Sequence, residues 1–188
     1  MSSKSDLRLV VLGFFLIAIA MRLMPQAYNF EAIGALGLFV GCFWSARMGV
    51  VITLAAMALS EVIGHFFGSP AMGFYEPWLT GVVYLAMALS APIGKLIGSK
   101  RLKEAMPLFL RVPGGAIGAG LVFFFITNFA SWLDPRMGYE ISFSGLFTCF
   151  IAAIPFAKGT FLGNLIFAGL FFGLYEGLVA PRAQQADA

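Results

Sequence analysis

Glu61 and His65 are the pair of side chains whose types and spacing could support acid–base chemistry. They lie four residues apart in an apolar segment, so a helix would place both on one face. A carboxylate beside an imidazole can move a proton, which leaves open a membrane-embedded enzyme acting on lipid. The sequence has no G-x-x-x-x-G-K-[ST], H-E-x-x-H, C-x-x-C or G-x-S-x-G motif. We therefore expect no enzymatic activity, no cofactor and no metal site.

The other unusual polar and aromatic residues are suited to binding. The asparagine side chains offer both donors and acceptors. Trp and Tyr rings can stack on an apolar or aromatic part of a ligand. Arg22 can meet an anionic group or pair with Glu61, and an ion pair of Glu61 with Arg22 or His65 is the structural alternative to ligand contact. The predicted substrate-binding residues are Arg22, Asn29, Phe30, Glu61, Asn128, Trp132, Tyr139 and Asn164.

The composition indicates an integral membrane protein. Of the 188 residues, 60% are hydrophobic and 11% are charged, whereas soluble domains carry about 25% charged residues. The net charge of +3 does not indicate nucleic-acid binding, because the basic residues lie in short loops between apolar segments. The start, with Lys4 and Arg8 before an apolar run, resembles a signal peptide, but we interpret it as the first membrane helix. We expect one domain over residues 1–188.

The apolar segments predict an all-α bundle of membrane-spanning helices. A span needs about 20 mostly apolar residues. A further apolar segment, 143–157, is bounded by Gly138, Pro155, Lys158 and Gly159, and we expect a short helix at the membrane surface or partly inserted; a seventh span is the alternative. The six predicted spans are 7–24, 31–46, 48–66, 77–98, 112–132 and 160–180.

The distribution of basic residues sets the predicted orientation. With both termini in the cytoplasm, nine basic residues lie inside and three outside, as the positive-inside rule requires. This orientation places the predicted binding residues at or near the outer side. The inner residues are Lys4, Arg8, Arg47, Lys95, Lys100, Arg101, Lys103, Arg111 and Arg182, and the outer ones are Arg22, Arg136 and Lys158.

Small residues recur at a spacing of four in several predicted helices. Such residues let two helix backbones approach closely. They predict either packing within the chain or docking of a partner membrane protein. The two cysteines, Cys42 and Cys149, lie in apolar segments and are interpreted as core residues. The spaced small residues are Ala86, Ser90, Gly94 and Gly98, then Gly37 and Gly41, and finally Gly169, Gly173 and Gly177.

The loop after the first helix combines Arg22, Pro25 and Asn29, so it cannot simply continue the helix. Irregular backbone at membrane depth is tolerated where protein or a watery cavity satisfies its polar groups. We interpret the loop as the roof of a cavity open to the outside. The alternative is a plain interfacial turn in which Arg22 extends to lipid phosphates.

Several sequence blocks carry a family resemblance that covers nearly the whole chain. They are R-x-x-P-x-x-x-N-F and GALGLFVG between residues 22 and 41, LSE at 59–61, TNFASWL at 127–133, GLFTCFIAAIPF at 145–156 and TFLGNLIFAGLFFGLYE at 160–176. This pattern resembles a family of small bacterial membrane proteins, which in turn resemble the substrate-binding S components of energy-coupling factor (ECF) transporters. The first helix contains Ala18 and Ala20 but not the Ala-x-x-x-Ala motif often found in S components.

The resemblance implies a six-helix transport protein of the bacterial inner membrane. Such a protein binds a vitamin, a cofactor precursor or a metal ion in a cavity near the outer face, covered by the loop after the first helix. Its partners would be the lipid bilayer and a transmembrane coupling subunit driven by separate ATPases. The second hypothesis is a non-transporting membrane scaffold or subunit, in which the small-residue seams bind a partner and the outer polar residues cap helices.

Overall fold

The computed structural model describes residues 4–24, 29–67 and 77–179. Within these ranges all regular secondary structure is helical, which confirms the all-α prediction. The helices are α1 (Lys4–Leu23), α2 (Ile33–Phe43), α3 (Ala46–Phe66), α4 (Pro77–Ala88), α5 (Ser90–Ile97), α6 (Lys100–Ala105), α7 (Leu108–Leu133) and α8 (Phe143–Leu174). A 3₁₀ turn, Pro135–Met137, follows α7, and a π-helical turn, Tyr175–Val179, continues α8.

Four of the described helical segments are long and apolar enough to cross a membrane. They are Ala46–Phe66, Pro77–Ile97, which joins α4 and α5 through Leu89, Leu108–Leu133 and Phe143–Gly177. The apolar part of α1 lies between Arg8 and Arg22 and is about 20 Å long at 1.5 Å per residue, short of the hydrocarbon thickness of about 30 Å. The four long apolar segments are those of a membrane protein.

The predicted division of residues 143–180 is wrong. A single helix, α8, runs from Phe143 to Leu174 and includes Pro155, Lys158 and Gly159 without a break. The sequence alone suggested a stop there, because proline removes a backbone donor and glycine weakens a helix. Neighbouring helices can compensate for such residues in a membrane helix. The prediction of six spans plus a separate short helix is corrected accordingly.

Helix α2 forms the centre of the bundle. Residues 33–41 of this helix are all buried, and it packs against α3, α5, α7 and α8. Close approach to α5 depends on glycine at both surfaces: a Cβ on Gly41 would lie 2.1 Å from the Ala91 carbonyl oxygen, and one on Gly94 would lie 2.1 Å from that of Leu38. These contacts assign the Gly37–Gly41 and Gly94–Gly98 spacings to packing within the chain.

Serine caps fix where three helices begin. The Oγ atoms of Ser45, Ser99 and Ser142 accept hydrogen bonds from backbone amides at the starts of α3, α6 and α8. Beside Ser142, the first turn of α8 packs closely on the backbone of the preceding segment: a Cβ on Gly145 would lie 1.9 Å from the Glu140 carbonyl oxygen. The α7–α8 connection is therefore short and closely packed, and it positions the residues that follow α7.

Candidate functional site

Arg22 forms an ion pair with Glu31. Its Nη1 lies 2.5 Å from Oε2 of Glu31, and the two side chains are 11% and 14% exposed. The pair joins the end of α1 to the start of α2. The sequence had suggested Glu61 or a ligand anion as the partner of Arg22, and the structure instead gives a carboxylate nine residues away.

Glu61 accepts a hydrogen bond from the hydroxyl of Tyr84, which links α3 to α4. The ion pair with Arg22 or His65 that the sequence suggested for Glu61 is not the arrangement in the structure. His65 lies near the exposed end of α3, where its ring contacts Phe66. The arrangement around Glu61 therefore favours a cross-link between helices over proton transfer with His65.

A cavity of about 320 Å³ lies between α4, α7 and α8 at the end of the bundle where α7 finishes. Ligand pockets have volumes of about 300–1,000 Å³, so it is at the small end of that range. Three of the predicted binding residues line it: Asn29, Asn128 and Tyr139. The rest of the wall is formed by Val83, Phe123, Phe124, Thr127, Ser131, Met137, Cys149, Ala152, Ala153, Phe156, Ala157 and Thr160.

The polar wall of the cavity comes from one face of α7. Thr127, Asn128 and Ser131 each donate a hydrogen bond to a backbone carbonyl four residues earlier, at 2.7 to 3.0 Å. These bonds fix the rotamers and use the single donor of each hydroxyl, whereas the Asn128 amide keeps a second N–H and all three side-chain oxygen atoms keep free lone pairs. The wall therefore presents mainly hydrogen-bond acceptors to a ligand, and Phe123 and Phe124 of the same helix add aromatic surface.

Asn29 and Tyr139, which lie outside the helices, also line the cavity. Asn29 has φ = 59°, a left-handed conformation that asparagine tolerates better than most residues. Tyr139 follows the 3₁₀ turn and lies beside Cys149. Partial burial, with a contribution from Cys149, raises the pKa of Tyr139 above its usual value.

The other three predicted binding residues stabilise the fold beside the cavity. The Trp132 indole Nε1 donates to the Glu140 carbonyl at 2.9 Å, and the Phe30 ring packs on Phe167 with centroids 5.6 Å apart. Asn164 is buried, and its Nδ2 donates to the Ala116 carbonyl at 3.4 Å. Its Oδ1 faces Gly34, where an added Cβ would lie 2.3 Å away.

Three contributors, Thr127, Ser131 and Tyr84, are not among the predicted binding residues. Ser131 lies four residues after Thr127, so the polar stripe 127, 128 and 131 could have been recognised from helical spacing. Tyr84 lies in a mostly apolar helix, and no sequence signal connects it with Glu61. Only the packing of α3 against α4 brings the two together.

The cavity is suited to binding. Its lining residues include no carboxylate, histidine or basic side chain within the described parts of the chain. In the same residues, no three His, Cys, Asp or Glu side chains come together as a metal site would need. Cys42 and Cys149 are free thiols, and Cys149 Sγ lies 3.4 Å from the Asn128 carbonyl oxygen.

The helical architecture and the apolar spans place this chain in the class of helical membrane proteins. It belongs to DUF6580, a family of unknown function, whose profile matches residues 3–186. No curated protein and no solved structure matches the chain.

Proposed function

We propose that this protein binds a small uncharged molecule in the cavity between α4, α7 and α8, which we call the Asn128 cavity. It would carry this molecule across the membrane in the manner of an ECF S component. The observation that supports the proposal most strongly is the cavity itself, with aligned acceptors on α7 and aromatic surface beside them. An uncharged ligand fits because no ionised side chain lies among the described lining residues. A vitamin or cofactor precursor with hydrogen-bond donors meets this requirement better than a metal ion.

The finer topology belongs to the same proposal. In this topology six helical segments cross the membrane in alternating directions. They are α1, α2, α3, α4 continued by α5, α7, and α8. With the basic segment 95–111 in the cytoplasm, both termini lie inside and the Asn128 cavity lies near the outer face. The protein would act in a bacterial inner membrane, either with a coupling subunit and separate ATPases or without them.

The test compares two threonines in the same kind of helical environment. Thr127 and Thr148 both donate to a carbonyl four residues earlier at 2.8 Å, but only Thr127 lines the cavity. The protein is released in mild detergent, examined by native mass spectrometry, and its bound small molecules are extracted and identified. We expect a stoichiometric compound in the native protein and in Thr148→Val, and about tenfold lower occupancy in Thr127→Val and Asn128→Ala.

Equal occupancy in Thr127→Val and Thr148→Val would show that the compound binds elsewhere. A protein that carries no small molecule but retains a second polypeptide would favour the scaffold hypothesis. One observation supports that second candidate: Gly169 and Gly173 of α8 and Gly177 of the following π-helical turn face open space, where an added Cβ would meet no atom within 4 Å. On the scaffold hypothesis, Gly173→Leu abolishes the complex, whereas Asn128→Ala leaves it intact.

A further inference from the structure

A second cavity, of about 350 Å³, lies at the opposite end of the bundle between α5 and α7. Its wall is almost entirely apolar, with Ile93 and Leu96 on one side and Val122 on the other. Leu96 and Leu110 are exposed at its edges, on the surface that a membrane protein turns to lipid. We call this cavity the α5–α7 groove.

Two glycines of α7 create the groove. A Cβ placed on Gly114 or Gly118 would meet no atom within 4 Å, although both residues line the groove. Gly115, by contrast, packs on Ile97, whose side chain would lie 3.0 Å from an added Cβ. The missing side chains at 114 and 118 therefore leave space that protein atoms do not fill, and an apolar space open to a bilayer is filled by acyl chain.

The length of the groove matches one leaflet. Along α7, from Arg111 at one end to Val122 at the other, the helix rises about 16 Å. Half of a hydrocarbon core about 30 Å thick is about 15 Å. An α-helix about 10 Å in diameter and 16 Å long would need more than about 1,200 Å³, so a partner helix cannot lie inside the groove.

The charge at the mouth of the groove selects the head group. Segment 95–111 carries five basic residues and one carboxylate, that of Glu104, whose Oε1 lies 3.8 Å from Lys100 Nζ in an exposed pair. Arg111 lines the groove itself, and Lys95 and Lys103 belong to the same basic segment at this end of the bundle. Basic sites between membrane helices at such a position bind anionic lipid head groups.

Arg111 is fixed at this mouth by the protein itself. Its Nε donates to the Met106 carbonyl at 2.9 Å and its Nη1 to the Ile97 carbonyl at 2.5 Å. These carbonyls lie at the ends of α6 and α5, where helical hydrogen bonds are missing. Nη2 makes no hydrogen bond to the described residues, so one edge of an oriented guanidinium is available for a phosphate oxygen.

We propose that the α5–α7 groove is a binding site for one anionic phospholipid. The phosphate contacts Arg111, the other basic residues of segment 95–111 attract the anionic head group, and one acyl chain lies along Gly114 and Gly118. The site is separate from the Asn128 cavity and does not depend on the transport proposal. Its occupant would fill the gap between α5 and α7 and so support the packing of these helices.

The experiment titrates the delipidated full-length protein in mild detergent with phosphatidylglycerol or with phosphatidylcholine of identical acyl chains, and native mass spectrometry counts bound lipid. We expect phosphatidylglycerol to bind about tenfold or more tightly, because each lysine or arginine near an anionic lipid contributes about fivefold. The combined Lys95→Gln and Lys103→Gln variant should lose most of this preference. Its affinity for phosphatidylcholine should be unchanged.

Gly118→Leu fills the groove without removing a charge, and its matched control is Gly81→Leu in α4. Gly81 also faces open space, is exposed, and lies outside the groove. We expect Gly118→Leu to weaken phosphatidylglycerol binding about tenfold and Gly81→Leu to leave it unchanged. Equal affinity for the two lipids, or equal effects of the two leucines, would overturn the proposal. A dimer that Gly118→Leu abolishes would assign the groove to a second copy of the chain.

Discussion

At the residue scale, the Arg22–Glu31 ion pair is the most enclosed of those in the described part of the chain. The Asp134–Arg136 and Lys100–Glu104 pairs each include a side chain at least 46% exposed. Arg22 Nε is buried and has no hydrogen-bond partner among the described residues. Enclosed charges are costly unless they are paired, so each member of this pair depends on the other.

We predict that single substitutions at this pair destabilise the protein more than the double substitution does. Glu31→Leu leaves an enclosed guanidinium unpaired and should lower the free energy of unfolding by about 3–5 kcal/mol. Arg22→Met combined with Glu31→Leu removes both charges and should cost less than either single change. Chemical unfolding in detergent measures the three values, with Glu104→Gln as an exposed control expected within about 0.5 kcal/mol of the native protein. Additive losses in the double variant would contradict this prediction.

At the element scale, glycines divide into two groups that the sequence does not distinguish. Gly94 and Gly173 both belong to small-residue repeats with a spacing of four. A Cβ at Gly94 would meet the Leu38 backbone, which belongs to the buried helix α2 and cannot move aside easily. A Cβ at Gly173 would meet nothing within 4 Å. The first glycine is therefore needed for the fold, and the second is free for other contacts.

Alanine at these two positions should have opposite effects. Gly94→Ala should destabilise the protein by about 3 kcal/mol, because the clash is with backbone and α5 must separate from α2. Gly173→Ala should be neutral or stabilising by up to about 1 kcal/mol, because alanine is the better helix former. Thermal unfolding in detergent measures both. Comparable destabilisation by the two alanines would show that Gly173 also packs within the chain.

The sequence predicts helices well where an apolar segment has clear ends. Helix α3 was expected at 48–66 and runs from Ala46 to Phe66, and α7 was expected at 112–132 and runs from Leu108 to Leu133. The prediction from sequence fails for α8, because Pro155, Lys158 and Gly159 are residue types that often mark the end of a helix. Packing of α8 along α7 decides the outcome there, and this tertiary interaction is absent from any local window of sequence.

At the scale of the whole molecule, the surrounding helices decide whether a predicted site residue lines the cavity or packs between helices. Asn128 belongs to a polar stripe, so its position in a cavity wall could be anticipated. Asn164 has the same chemistry, but α8 directs it towards α2 and α7, where it joins helices. Whether an asparagine binds a ligand or a neighbouring helix depends on which helices surround it, and the sequence does not supply that arrangement.

The proposed orientation predicts which ends of the bundle meet which aqueous phase. In a background with Cys42 and Cys149 replaced by alanine, Lys103→Cys and Ile141→Cys provide exposed thiols at opposite ends. A membrane-impermeant maleimide should label Ile141→Cys in intact cells and Lys103→Cys only in inverted vesicles, because segment 95–111 holds the basic residues. The reverse labelling pattern would place the Asn128 cavity at the cytoplasmic face.

The length of α8 makes the thickness of the bilayer a physical variable for this protein. At 1.5 Å per residue its 32 residues extend about 48 Å, well beyond a hydrocarbon core of about 30 Å, and tilting within the usual range cannot absorb the difference. Part of α8 therefore extends to the level of the head groups, and Phe143 and Phe147, 92% and 68% exposed, lie in its first two turns. In the proposed orientation, with Leu108 at the inner edge of the hydrocarbon core, Asn128 would lie about 30 Å along α7, near the outer edge. On that placement, a thinner membrane would expose the mouth of the cavity to water and a thicker one would cover it with acyl chains, so the thickness of the bilayer would affect access to the site.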